Sequence, residues 1–189
     1  MALDRIVKRT NPHLFDKVIG DMQQGIADNV TWIDHIFGRA ERLLKVIAGR
    51  RYYTPNWYTG DDEYILLAPN QGLGCYGFFV LDEPQDVSWS AGLNSRLESP
   101  FSLIVWADMR EVDTQTDTRD TEKGKQDILK ALNGGTWVHD GGFVINRIYE
   151  RAENVFRDFT LDEVDNQFLM SPFAGWRFDG VMTIKNDCI

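Results

Sequence analysis

The clearest hydrophobic pattern in the chain lies between residues 171 and 185. Trp176, Phe178, Met182 and Ile184 share one parity, while Arg177, Asp179, Thr183 and Lys185 share the other. Period-two alternation over this length predicts a strand with one buried and one wetted face. Gly180 stands on the apolar parity without a side chain, which marks a bulge or a point where a helix backbone comes close.

Helical spacing dominates the first third of the chain. Leu14, Phe15, Val18, Ile19, Met22 and Ile26 recur at intervals of three and four, so residues 11–30 read as an amphipathic helix, with Asn11 as cap and Pro12 at the first helical position. Thr31 and Asp34 resemble a second helix start, and Trp32, Ile33, Ile36, Phe37 and Ala40 fit its stripe. Residues 40–48 fit either a continuation of that helix through Leu43, Leu44 and Ile47 or a first strand. The basic and aromatic residues 50–53, followed by Pro55, favour strand at the end of that segment. Pro55, Gly60 and paired aspartates make residues 53–62 a loop.

Residues 63–68 and 75–81 are short apolar runs that form a hairpin across the glycine-rich 70–74 segment. Residues 101–106 are a nearly continuous apolar run, as expected of a central strand covered on both faces. Ile128, Leu129 and Leu132 place a helix at about 121–132, stopped by Asn133-Gly134-Gly135. Trp137-Val138 and residues 143–149 flank Asp140-Gly141-Gly142 as a second hairpin or bulged strand. Thr160 to Glu163 is a capping box for a helix lined by Leu161, Val164 and Phe168 and ended by Pro172. The sum is an α+β fold of about five or six mostly antiparallel strands against two to four helices, with the whole of residues 1–189 as one domain. Residues 82–99 and 108–121 are long connections of the sort that carry function.

With 43% hydrophobic and 26% charged residues the chain is globular. Its net charge of −9 opposes a duplex-binding surface, though an acidic wall suits a passage that DNA must slide through without sticking. The two cysteines, Cys75 and Cys188, imply no disulfide framework and fit a reducing compartment. Charges thread through residues 1–9, and no window approaches the roughly 20 apolar residues of a membrane span, so a cytoplasmic protein is expected.

Candidate chemistry is sparse. His13, His35 and His139 lack the spacing of a zinc site, and Cys75 has the setting of a buried structural thiol. The glycine-rich 70–77 segment leads into a strand, not into the helix that a phosphate loop requires. Ser88, Ser90, Ser95, Ser99, Ser102 and Ser171 sit in no nucleophile-elbow context. Glu111, Asp113, Asp117, Asp120 and Glu122 do not match a calcium loop and read as solvated. Arg147, Arg151 and Arg157 with Glu150 and Glu153 form a mixed-charge edge suited to ion pairs between subunits. The expectation is therefore no catalytic residue, no cofactor and no metal. The competing class is an enzyme or small-ligand-binding domain with a cleft lined by Trp57, Tyr58, Trp89 and Trp106.

One arrangement of residues carries a family resemblance. An initial helix, then Trp32-Ile-Asp-His-Ile-Phe-Gly-Arg-Ala-Glu41, a tyrosine and proline loop, Tyr64-Ile-Leu-Leu-Ala-Pro69, Glu153-Asn-Val-Phe156 and Pro172-Phe-Ala-Gly-Trp-Arg-Phe178 together resemble the prophage-encoded tail terminator or tail completion proteins. The resemblance implies a small α+β structural subunit that forms a ring, often of six, caps the tail tube and joins it to the head. It also implies tail-tube and head-tail connector partners, DNA passing through without specific binding, and no catalytic residues. On that reading the protein is in the host bacterial cytoplasm during assembly and then in the virion tail. The two long loops and the acidic 111–122 segment are expected at the subunit contact or along the lumen.

Overall fold

The fold comes from a computed structural model, which describes residues 3–60, 63–89, 95–113, 120–134, 141–161 and 169–186. Its class is α+β, as expected, with more strands than the pattern suggests: ten strands and four helices among the described residues. The larger sheet runs β1 (Ile6–Val7), β2 (His35–Arg39), β6 (Tyr76–Leu81), β8 (Ser95–Asp108), β10 (Phe173–Asn186), β9 (Gly141–Tyr149), with β7 (Asp86–Trp89) also on β8. β1, β2 and β6 are mutually parallel, and the remaining pairs are antiparallel. A second sheet of β3 (Glu41–Ile47), β4 (Arg50–Gly60) and β5 (Glu63–Leu66) is wholly antiparallel.

Two apolar cores lie on opposite faces of the larger sheet. On one, α1 (Phe15–Asn29) and α3 (Thr121–Gly134) bring Val18, Ile19, Met22, Ile26, Ile128 and Leu132 onto Val105, Trp176, Phe178 and Met182. On the other, Trp57 and Leu67 of the smaller sheet's region join Val155, Phe156 and Leu169 over Tyr76, Phe78, Ile104 and Trp106. Coverage on both faces is why β8 reads as an uninterrupted apolar run. Gly124 lets α3 descend onto the Trp176 ring, where a β-carbon would stand 2.5 Å from the ring edge.

β10 forms where alternation places it, and Gly180 does mark a bulge in the β9–β10 register. A β-carbon there would collide with the carbonyl oxygen of Val144. The expected wet parity is corrected at one position: Arg177 is fully buried, because the second core covers that end of the strand.

α1 uses the predicted apolar positions, but Asn11 and Pro12 precede it. Its N-cap is Leu14, with φ of 47° and no side-chain capping bond. The predicted second helix is instead β2. Its successive residues Ile36 and Phe37 enter opposite cores, and two adjacent apolar residues on a doubly covered strand have the same signature as a helical stripe. Gln23, buried on α1, ties the helix to this region by donating to the carbonyls of Val7 and Ile36 at 3.0 and 2.8 Å. Residues 41–47 resolve as strand.

Residues 53–60 of the predicted 53–62 loop are also strand, and 61–62 lie outside the described residues. Pro55 lies within β4, and its carbonyl accepts from Leu67 N at 2.9 Å. Proline cannot return the reciprocal bond to the Leu67 carbonyl, and the Tyr76 hydroxyl donates there instead at 3.0 Å. That substitution lets proline occupy a strand with neighbours on both sides.

The predicted hairpin of 63–68 with 75–81 does not form. β5 pairs with β4, and β6 inserts between β2 and β8 after a short 3-10 turn at Gln71–Leu73. Asp34 holds the start of β6 by accepting from Cys75 N at 2.8 Å. The 82–99 connection contains β7 and the start of β8, and 108–121 begins with the short helix α2 (Met109–Val112). α3 ends at Gly134, close to its expected stop, and β9 begins at Gly141. Trp137-Val138, with Asp140, and most of the capping-box helix lie outside the described residues. A short unexpected helix, α4 (Ala152–Val155), supplies Val155 to the second core.

Candidate functional site

Two features stand apart from ordinary packing: a buried charge cluster and a projecting hairpin. The cluster is built around Arg177, whose side chain is 0% exposed. Its Nε lies 2.7 Å from Asp179 Oδ1, and Nη2 donates to Ser102 Oγ at 2.7 Å. Nη1 sits 2.5 Å from Asp158 Oδ2, off the hydrogen-bond direction, and Nη2 is 3.8 Å from Asp82 Oδ2. Ser102 Oγ donates in turn to Asp179 Oδ1 at 2.8 Å, and Arg157 Nη2 donates to Asp179 Oδ2 at 2.6 Å. Three carboxylates thus surround two guanidinium groups.

The electrostatics divide the aspartates. Burial pushes the Asp82 carboxyl up, only partly opposed by Arg177. Burial acts on Asp179 in the same sense, but hydrogen bonds from Arg177 and Ser102 outweigh it and hold that carboxyl below its ordinary value. Among the described residues no histidine or thiol takes part, and the Ser102 hydroxyl is bonded on both sides. The arrangement ties β8 and β10 to the 156–159 segment, which suits a strut better than a site of chemistry.

The hairpin is β3–β4. Ile47 pairs with Arg50 across a two-residue turn in which Ala48 and Gly49 have φ of 49° and 77°, both left-handed. Positive φ at both central residues belongs to a type I′ turn, and alanine is strained there. Replacing Ala48 with Gly or Asn should raise stability by about 0.5–1 kcal/mol, read from a denaturant midpoint with unchanged slope. Near the root Trp57 is buried, and the Arg42 guanidinium lies 4.0 Å over the Tyr53 ring. Towards the tip Leu44, Val46 and Ile47 are 50%, 64% and 58% exposed. An apolar tip on an open strand edge is a device for meeting another surface.

The residues singled out from sequence fall elsewhere. His13 is exposed, His35 Nδ1 lies 3.0 Å from the Asp4 carbonyl, and His139 is outside the described residues. Cys75 is buried, its thiol pushed up to about 12 chiefly by desolvation, while Cys188 is outside the described residues. Ser88 and Ser99 donate to nearby backbone carbonyls, and Ser171 is exposed. Ser90 and the Ser95 side chain lie outside the described residues.

In the acidic segment Glu111 is exposed, Asp120 accepts from Glu122 N at 3.0 Å, and Glu122 pairs with Lys125 at 2.6 Å. Asp117 falls outside the described residues, among which no group of three His, Cys, Asp or Glu could hold a metal ion. Part of the 147–157 edge is spent within the chain: Glu150 pairs with Lys125, and Arg157 lies 5.0 Å from the centre of the Tyr149 ring.

The three described aromatics of the supposed cleft do not line one site. Trp57 and Trp106 are buried in the second core at 5% and 1% exposure, and Tyr58 packs on Tyr64 at the surface with ring centres 5.1 Å apart. The Trp89 side chain is outside the described residues. Trp57 and Tyr58 do border a cavity of about 220 Å³ with Lys8, Arg9, Thr10 and Glu41. A neighbouring one of about 250 Å³ shares Lys8 and Arg9 and adds Lys17 and Arg39.

Pattern reading misses the Arg177 cluster, although Phe173 and Gly175 on the same parity hint that this end of the strand is covered on both faces. Among the described residues no helix is long and apolar enough to cross a membrane. No protein-family model matches the chain, and no curated protein matches it in sequence.

Proposed function

We propose that this chain is a structural subunit that works by self-association, forming a ring of the kind that phage tail terminator or completion proteins place between tail tube and head. The observation that carries the reading is the β3–β4 hairpin, whose open edge and exposed Leu44, Val46 and Ile47 are poorly suited to a solitary subunit. A net charge of −9 suits a channel that lets DNA pass without specific binding. The implied partners are further copies of itself, the tail tube and the head-tail connector, in the host cytoplasm during assembly and in the virion tail afterwards. Light scattering and negative-stain imaging of the purified protein test the proposal, with a closed ring as the expected result. Deleting residues 114–118 should impair ring formation while leaving the thermal melt of the monomer unchanged. Intact rings after the deletion would remove that segment from the contact.

A second reading is supported by two neighbouring cavities that share Lys8 and Arg9: Trp57, Tyr58 and Glu41 line one, and Asp16, Lys17, Asp21 and Arg39 line the other. Arg9 is paired with Glu41 and Arg39 with Asp16, which leaves Lys8 and Lys17 as cations without an ion pair among the described residues. The cavities suit a small anionic ligand with an apolar body. Thermal shift with nucleotides and divalent metals separates the readings, because tight binding raises the melting temperature and a purely structural subunit shows no response.

A further inference from the structure

The β3–β4 hairpin is cationic on an acidic chain. Between Glu41 and Arg51 the cations Arg42, Lys45, Arg50 and Arg51 face the single Glu41, a net +3 within a total of −9, so the remainder of the chain sums to −12. Lys45, Arg50 and Arg51 are exposed and make no ion pair among the described residues. The outer edge of β3 pairs with no described strand.

An edge of opposite character lies on β7, which pairs only with β8 among the described strands. Over residues 83–98, Glu83, Asp86 and Glu98 outnumber Arg96, giving a net of −2. Glu98 is tied to Arg96, whereas Glu83 and Asp86 are exposed and carry no ion pair among the described residues. Val87 beside them is 49% exposed. Within one chain the two edges belong to different sheets and do not pair.

We infer that the β3–β4 hairpin of one copy docks on the β7 edge of a second copy, its apolar tip over Val87 and its cations facing Glu83 and Asp86. The inference rests on the self-association reading and names the two surfaces involved. Opposite charge steers the approach and fixes the partner face, burial of Leu44, Val46 and Ile47 supplies the attraction, and strand addition pairs backbone groups that each edge leaves open. Each copy offers one hairpin and one edge, so the contact is heterologous and closes into a ring when the rotation between copies permits.

Charge reversal tests the contact in the full chain. R50E/R51E and E83K/D86K should each weaken self-association about 100-fold by sedimentation, since like charges then face each other. The circular dichroism melts should be unchanged, because all four positions are exposed. The four reversals combined in one chain should bring association back to within about tenfold of the starting protein, since the charges again oppose. Single reversals that assemble like the starting protein would overturn the docking while leaving self-association in place, and so would a combined variant that fails to recover. A starting protein that stays monomeric at every concentration would overturn both. Capture of a DNA duplex or anionic vesicles through Arg50 and Arg51, without self-association, would reassign the hairpin to a polyanion and refute the docking.

Discussion

Replacing Arg177 with Met should lower stability by about 3–5 kcal/mol, the usual cost of leaving buried charge unpaired. For a chain of this size that is a fall in melting temperature of roughly 6–20 °C. The substitution keeps much of the side-chain volume, so the loss reports charge more than packing. Without the guanidinium, Asp82, Asp158 and Asp179 lose their shared partner, and Arg157 on Asp179 is the remaining paired cation among the described residues. The pH dependence identifies the cause. With Arg177 gone, burial raises the Asp82 carboxyl further above its unfolded value and Asp179 loses a guanidinium that holds its carboxyl down; a group raised in this way contributes stability that is present at low pH and lost as pH rises. The deficit of the variant should therefore be larger at pH 8 than at pH 5. In the parent chain Asp179 has the opposite sign: its depressed carboxyl contributes stability above its unfolded value and loses it as pH falls. A deficit independent of pH would show that Arg177 contributes packing alone.

Gly180→Ala should cost about 3 kcal/mol, because its β-carbon has nowhere to go. The obstruction is the Val144 backbone carbonyl in the paired strand, with the Phe101 ring edge 2.8 Å away, and backbone held in a ladder cannot swing aside. Gly142→Ala is the matched control. It lies on β9 of the same strand pair with nothing within 4 Å of its β-carbon, so its effect should stay within about 0.5 kcal/mol. Equal denaturation midpoints for the two variants would mean that the bulge relaxes to admit a methyl group.

What the chain reveals of this fold follows from how many faces each element buries. β10 is legible because most of its length packs on one side only, which keeps hydrophobic and polar residues on separate parities. β2 is not, because Ile36 and Phe37 enter different cores and erase the alternation that identifies a strand. Arg177 is hidden for the same reason. A polar residue on the polar parity looks wetted, and the groups that meet it come from far along the chain, Asp158 at Nη1 and Ser102 at Nη2. Pro55 misleads differently: the Tyr76 hydroxyl that replaces its missing donor is 21 residues away in the chain, beyond any local window. The hairpin tip is visible as composition, since Leu44, Val46 and Ile47 stand among cations. Its exposure depends on the sheet to which it belongs, and that pairing is settled by tertiary structure.

The claim on which the functional account depends is that copies of this chain bind one another through unlike faces. The solution mass of the purified protein, followed by light scattering as concentration rises, tests it most directly. The account expects growth to a closed assembly of fixed copy number that is lost in R50E/R51E. A mass that stays at one chain throughout, or a dimer indifferent to those two substitutions, would contradict it.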